Sequence, residues 1–209
     1  MAAETLHQSL KERQRKERGE LILQAAEAEF TEKGYRDTSM DEIAARVGIA
    51  KGTVYLYFPS KQDLVFALIE REFKMFLEKV EHISASSLTA RAKLEYLFLQ
   101  ACQEILGRRL QALLSFFTSA DVRKDMHGKR EQTQLYSMEL ATRLSSLIEE
   151  GKAAGELDPT VPTIVMLSSF FTLLSPHAFR RVLDTGQVSP EELPMHLARI
   201  YFQGIAAPQ

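Results

Sequence analysis

A chain of 209 residues has room for one large or two small domains and a substantial core. Its 45% hydrophobic and 26% charged residues are those of an ordinary soluble globular protein, and its longest apolar run, residues 161–174, is too short and too interrupted by Pro, Ser and Thr for a membrane span. The single cysteine, Cys102, excludes a disulfide framework, and a formal net charge of −2 offers no bulk attraction to nucleic acid.

The first twenty residues are polar and charged, so no secretory leader is expected, and a cytoplasmic protein without a membrane partner is the expectation. Within residues 1–62, ten Lys and Arg are balanced by ten Asp and Glu, so any electrostatic footprint there must be local. Residues 1–17, with the run K-E-R-Q-R-K-E-R at 11–18, read either as a solvated arm or frayed helix start, or as a basic arm for DNA phosphates or the minor groove. The first clear helix is predicted over 17–33, where Ile22, Ala25, Ala26 and Phe30 form one apolar face and Lys33 and Gly34 form a stop.

Residues 38–61 read T-S-M-D-E-I-A-A-R-V-G-I-A-K-G-T-V-Y-L-Y-F-P-S-K. Ser39 and Glu42 have capping-box spacing, a short helix is predicted over 40–46, and Gly48 supplies the positive φ of a sharp turn. Residues 50–58 contain V-Y-L-Y-F, which in isolation resembles a strand. Their place between a glycine turn and Pro59 predicts a helix instead, with Val54 and Phe58 inward and Lys51, Gly52, Thr53, Tyr55 and Tyr57 outward. Ser60 caps a long helix over 61–82, whose apolar residues recur every three or four positions, and a polar break follows at 84–89.

Every later segment has helical periodicity. One helix carries Leu94, Leu97, Phe98, Ala101 and Ile105 and stops at Gly107; a second carries Leu110, Leu113, Leu114 and Phe117. A third is predicted over 129–153, with Tyr136, Leu140, Leu144 and Leu147 as its stripe, and G-K-A-A-G-E-L-D-P at 151–159 is a stop and turn. The next, from Pro162 through Leu174, is apolar nearly all round and is expected to be buried on several sides, with Ser175 and Pro176 interrupting it. The last runs to about Gln203, with Leu193, Leu197, Ile200 and Tyr201 on one face. The predicted fold class is all-α.

A short helix, a glycine turn and a second helix lined with polar groups is the pattern that enters a major groove. Lys51 is a candidate donor to guanine, Gly52 permits close backbone approach, and Thr53 suits a phosphate or a thymine methyl. Tyr55 and Tyr57 offer hydroxyls to phosphate, Lys61, Thr38 and Ser39 sit at helix N-termini that suit phosphate, and Arg46 adds a further cation. The run E-K-G-Y-R-D-T-S-M-D-E-I-A-A-R-V-G-I-A-K-G-T-V-Y-L-Y-F-P-S-K-Q-D-L closely resembles the DNA-binding signature of TetR-type regulators, a likeness that covers roughly residues 18–66.

The resemblance implies an N-terminal three-helix helix-turn-helix domain (1–60), a long connecting helix (61–83) and a larger helical ligand-binding and dimerisation domain (84–209). It also implies a homodimer through the last two helices, bound to a palindromic double-stranded operator and released by a small-molecule effector. The DNA contacts it implies are Thr38, Lys51, Gly52, Thr53, Tyr55, Tyr57 and Lys61. Ala50 departs from the pattern, since many relatives carry a capping Ser or Thr there.

Phe73, Phe76, Tyr96, Phe98, Cys102, Phe116, Phe117, Tyr136, Met138, Met166, Phe170, Phe171 and His177 are candidates to line an apolar effector cavity. The five histidines lack metal-ligand spacing, and no nucleotide-binding glycine loop or nucleophile elbow occurs, so neither cofactor nor enzymatic activity is expected. The alternative is a helix-turn-helix regulator that acts constitutively or through a partner protein.

Overall fold

The computed structural model describes residues 2–107 and 130–206, apart from the side chains of residues 2–10, 130–133, 177 and 178. The helix expected around Leu110 and Phe117 therefore lies outside the described residues. Those described as far as Arg71 form one compact unit, and those from Glu72 onward form a second.

In the first unit, helix α1 (Ala2–Lys33) starts fifteen residues before the predicted Glu17. Its early turns consist of strong helix formers such as Glu, Lys, Gln and Arg, supported by an Arg13–Glu17 pair at i,i+4. The helix buries Ile22, Leu23, Ala25, Ala26 and Phe30 and packs on α2 (Met40–Val47), which buries Met40, Ile43 and Ala44. Helix α3 (Lys51–Tyr57) packs on α2 in turn, through Val54. The V-Y-L-Y-F run is thus helical through Tyr57, with Phe58 as its extended C-cap, because the tight turn before it delivers the chain in helical register and Val54 has a core to enter.

Helix α4 (Lys61–Ser84) contributes to both units, whose division in sequence falls between Arg71 and Glu72 within this helix and not at the polar break of 84–89. Arg71 pairs with Glu27 of α1, which ties the first turns of α4 to the N-terminal unit.

The second unit contains α5 (Ala90–Leu106), α6 (Arg130–Ala153), α7 (Thr163–Leu173), α8 (Pro176–Leu183) and α9 (Leu193–Gly204). Helix α5 is the centre, packing against α6, α8 and α9, while α7 packs on α6 and α9. Phe98 stacks on Tyr201 at 5.8 Å between ring centroids and meets Phe170 and Phe202 edge-on, and the Tyr201 hydroxyl donates to the Met166 carbonyl at 2.8 Å.

The two glycines of the 151–159 stretch have different tasks. Gly155 takes the left-handed conformation (φ 71°) that ends the helix, whereas Gly151 lies inside α6, where a Cβ would stand 2.8 Å from the buried Leu157. Among the described residues there is no strand, only an isolated antiparallel bridge between Leu157 and Ala206.

Two expectations about burial differ from the structure. Helix α7 buries Met166, Leu167 and Phe170 but exposes Ile164, Val165 and Phe171, so it is covered on one side only. On α9, Ile200 is 66% exposed while its neighbour Tyr201 enters the core, because a 100° step per residue separates the two faces. Among the described residues no helix is long and apolar enough to cross a membrane.

Candidate nucleic-acid interface

Local signals build the α2–α3 turn. Glu42 accepts from the Ser39 backbone N–H at 2.8 Å, and Ser39 Oγ accepts from the Glu42 N–H at 3.2 Å, which closes a capping box at the start of α2. Lys33 adds an ion pair to Glu42 at 2.7 Å. That pair and the Ser39 hydrogen bonds hold the Glu42 carboxyl at about 2, well below its ordinary range.

At the other end, Gly48 has φ 75° and donates to Ala45 O, and Ile49 N donates to Ala44 O, the double bond of a Schellman stop. The chain then enters α3 through Ala50, whose extended backbone (φ −65°, ψ 141°) is that of an N-cap but which offers no side-chain hydrogen bond.

Val54 is the buried residue of α3, so Gly52 and Leu56 lie on the opposite side and Lys51, Thr53, Tyr55 and Tyr57 flank them. Lys51 Nζ pairs with Asp41 Oδ1 at 2.7 Å, a bond that raises its pKa, and lies 5.9 Å from the centroid of the Tyr55 ring. Tyr57 lies across α1, its ring 3.6 Å from the Cβ position of Gly19. Arg46 pairs with Glu32 at 2.6 Å and with Glu29 at 3.2 Å, and the Glu32 bond raises its pKa.

The side chains of three residues expected on phosphate have hydrogen-bond partners within the protein. Thr38 is 2% exposed and its hydroxyl donates to Gly34 O, while Ser39 is occupied in the capping box. Lys61 directs its ammonium at the Tyr35, Arg36 and Thr38 carbonyls, at 2.6, 3.3 and 2.6 Å, with the Tyr35 ring centroid 4.3 Å away. Partial burial lowers its pKa. A sequence pattern does not separate these roles, because a hydroxyl or ammonium near a helix start suits a backbone partner and a phosphate equally.

Two residues beside these groups were not singled out from the sequence: Asp41, which pairs with Lys51, and Leu56, which is exposed on α3. Leu56 was detectable in principle, being two positions from Val54 and hence on the opposite helix face.

In the second unit, Phe76, Phe98, Cys102, Met166 and Phe170 are all in the core, and burial pushes the Cys102 thiol up to about 12. Phe73 and Tyr136 stack at 6.3 Å at its edge. Tyr96 is partly exposed in an open groove with Met75, Lys79, His82 and Ile83, and Met138 is exposed. Phe116, Phe117 and the His177 side chain lie outside the described residues.

Residues 22–68 match the family model of bacterial regulatory proteins, tetR family. The "Fatty acid metabolism regulator protein" of Bacillus subtilis is 26% identical over 136 residues, 65% of this chain and 69% of that protein. The regulator YhgD of the same organism is 27% identical over 161 residues, 76% of this chain and 83% of that protein. Among solved structures, a TetR/AcrR-family transcriptional regulator from Thermobifida fusca aligns with a TM-score of 0.70 at 28% identity, covering 90% of this chain and 98% of that one. The fold is also that of Bacillus subtilis FadR solved in complex with stearoyl-CoA, with a TM-score of 0.68 at 22% identity, covering 88% of this chain and 98% of that one.

Proposed function

From the membership of this chain in the tetR family of bacterial regulatory proteins, carried by residues 22–68, we propose that it is a homodimeric repressor that leaves a palindromic operator when a small apolar or amphipathic molecule binds its C-terminal unit. The observation that carries this reading is α3 itself. It is a seven-residue helix anchored by one buried residue, Val54, with Lys51, Gly52 and Tyr55 exposed and Thr53 half-buried beside them. Such a face matches a major groove, where N-terminal residues of the second helix meet base edges.

The exposed apolar residues of α7 and α9, Ile164, Val165, Met195 and Ile200, favour a second copy of the chain as their cover. In a dimer the two copies of α3 must stand about 34–36 Å apart to enter successive major grooves. An effector that binds more tightly to a dimer with another spacing releases DNA by that difference in affinity. The Bacillus subtilis relatives, one named for fatty acid metabolism and one solved with stearoyl-CoA, favour an amphipathic acyl compound as the first effector to try.

A mobility-shift titration on the DNA upstream of the protein's own coding region tests the reading. The wild type is expected to bind with steep salt dependence, Tyr55→Ala to bind about tenfold more weakly, and long-chain acyl-CoA to dissociate the complex. Absence of any specific shift by the wild type overturns the DNA-binding reading. A shift that no acyl-CoA or other apolar molecule affects favours constitutive or partner-controlled regulation instead.

A further inference from the structure

We propose that the line from Gly52 to Leu56 on α3 is the base-reading edge of the protein, and that Leu56 selects a thymine in each operator half-site through the 5-methyl group. The inference rests on the reading of the chain as a DNA-binding regulator and adds to it a residue and the base that residue recognises.

Two features of α3 have no explanation among the described residues. Leu56 is 79% exposed, the highest value among the described large hydrophobic residues. It stands on the side opposite Val54, so no rearrangement within a helix anchored at Val54 turns it inward. Gly52, one turn earlier on the same side, is equally unexplained. Its φ is not positive, and a Cβ built on it meets nothing within 4 Å. Its bare backbone therefore neither serves a turn nor relieves a clash.

Both features are accounted for by one external object that approaches the helix closely at residue 52 and presents an apolar group at residue 56. A major groove is such an object. Among the base edges it displays, guanine, cytosine and adenine offer polar donors and acceptors, and thymine alone adds a methyl group. The flanking groups agree with this orientation. Lys51 is held to Asp41 and Tyr55, four positions on, lies beside it, both on one side of the Gly52–Leu56 line, where a strand backbone runs when a helix lies in the groove.

The test uses the full-length dimer and an operator selected from random duplexes by the wild type. Each thymine of a half-site is replaced in turn by deoxyuridine, which removes only the methyl group. For the wild type, one position per half-site is expected to weaken binding about fourfold. For Leu56→Ala that position becomes insensitive while other positions keep their effects, and the melting temperature is unchanged because the side chain is exposed. Gly52→Ala is expected to melt at the same or a higher temperature and yet bind the operator at least tenfold more weakly.

If every deoxyuridine effect is the same in the wild type and Leu56→Ala, the assignment of Leu56 fails while DNA binding stands. Full operator affinity in Gly52→Ala overturns the close approach. A wild type that enriches no duplex at all overturns the DNA-binding reading itself, and a protein-facing role for this surface then replaces it.

Discussion

Lys61 illustrates how a single side chain acquires its role. Its ammonium has three N–H donors, and the Tyr35, Arg36 and Thr38 carbonyls receive them, with the Tyr35 ring alongside. This draws the 35–38 segment onto the first turn of α4 and so sets the position from which α2 starts. In Lys61→Met the stem stays and the three bonds go, which is expected to cost about 1–3 kcal/mol of stability through carbonyls left without that partner. The variant, measured below its melting temperature, is expected to bind operator more weakly while the slope of log affinity against log salt stays the same. A phosphate contact predicts the contrary, a slope reduced by about one unit. Urea unfolding and a salt series of binding isotherms distinguish the two.

At the scale of elements, α2 and α3 are closed very differently. Helix α2 has a complete capping box at Ser39 and Glu42 and a Schellman stop at Gly48. Helix α3 begins at Ala50 with no side-chain cap, has a glycine as its second residue and is seven residues long. The Thr53 N–H closes its first turn on the Ala50 carbonyl at 2.8 Å, and residue 50 adds no side-chain acceptor. Ala50→Ser, which keeps the extended backbone and adds an acceptor, is expected to stabilise the fold by about 1 kcal/mol. Thermal unfolding checks this, and slower amide exchange at Gly52 and Thr53 localises the gain to the first turn of α3.

For the whole molecule the outer faces of α7 and α9 matter most. Each contributes its inner face to the core, through Met166 and Phe170 on one and Ala198, Tyr201 and Phe202 on the other. Each also leaves large apolar side chains outside, Ile164 and Val165 on α7 and Met195 and Ile200 on α9. With a second copy as the cover, Ile200→Glu buries a charge at that interface and is expected to give a folded monomer by light scattering. Losing the second half-site contact is then expected to lower operator affinity about 100-fold or more, with the circular dichroism of the wild type retained. A variant that stays dimeric and binds operator fully rules out the α9 face as the interface.

The sequence by itself was sufficient for the helix-turn-helix and for the all-α class, because the signals that make them act over a few residues. A cap and its partner are three apart in Ser39 and Glu42, Gly48 needs only its own φ, and helical periodicity repeats every three to four positions. The choice of helix over strand for V-Y-L-Y-F was legible for the same reason, from Gly48 before it and Pro59 after it. The partners of the site's polar groups were not legible, since they arrive from elsewhere: Lys61 reaches carbonyls 23 to 26 residues away, and Arg46 meets Glu32 from α1. Residues named for an effector cavity by type alone divided between core (Phe98, Phe170), core edge (Tyr136) and surface (Met138), because aromatic and methionine side chains obey the same periodicity in each setting. Only the tertiary structure decided which face of α7 would stay uncovered and that, on α9, Ile200 would be outside while Tyr201 entered the core. Both are consequences of what packs on the opposite side, and no short stretch of sequence contains its own neighbours.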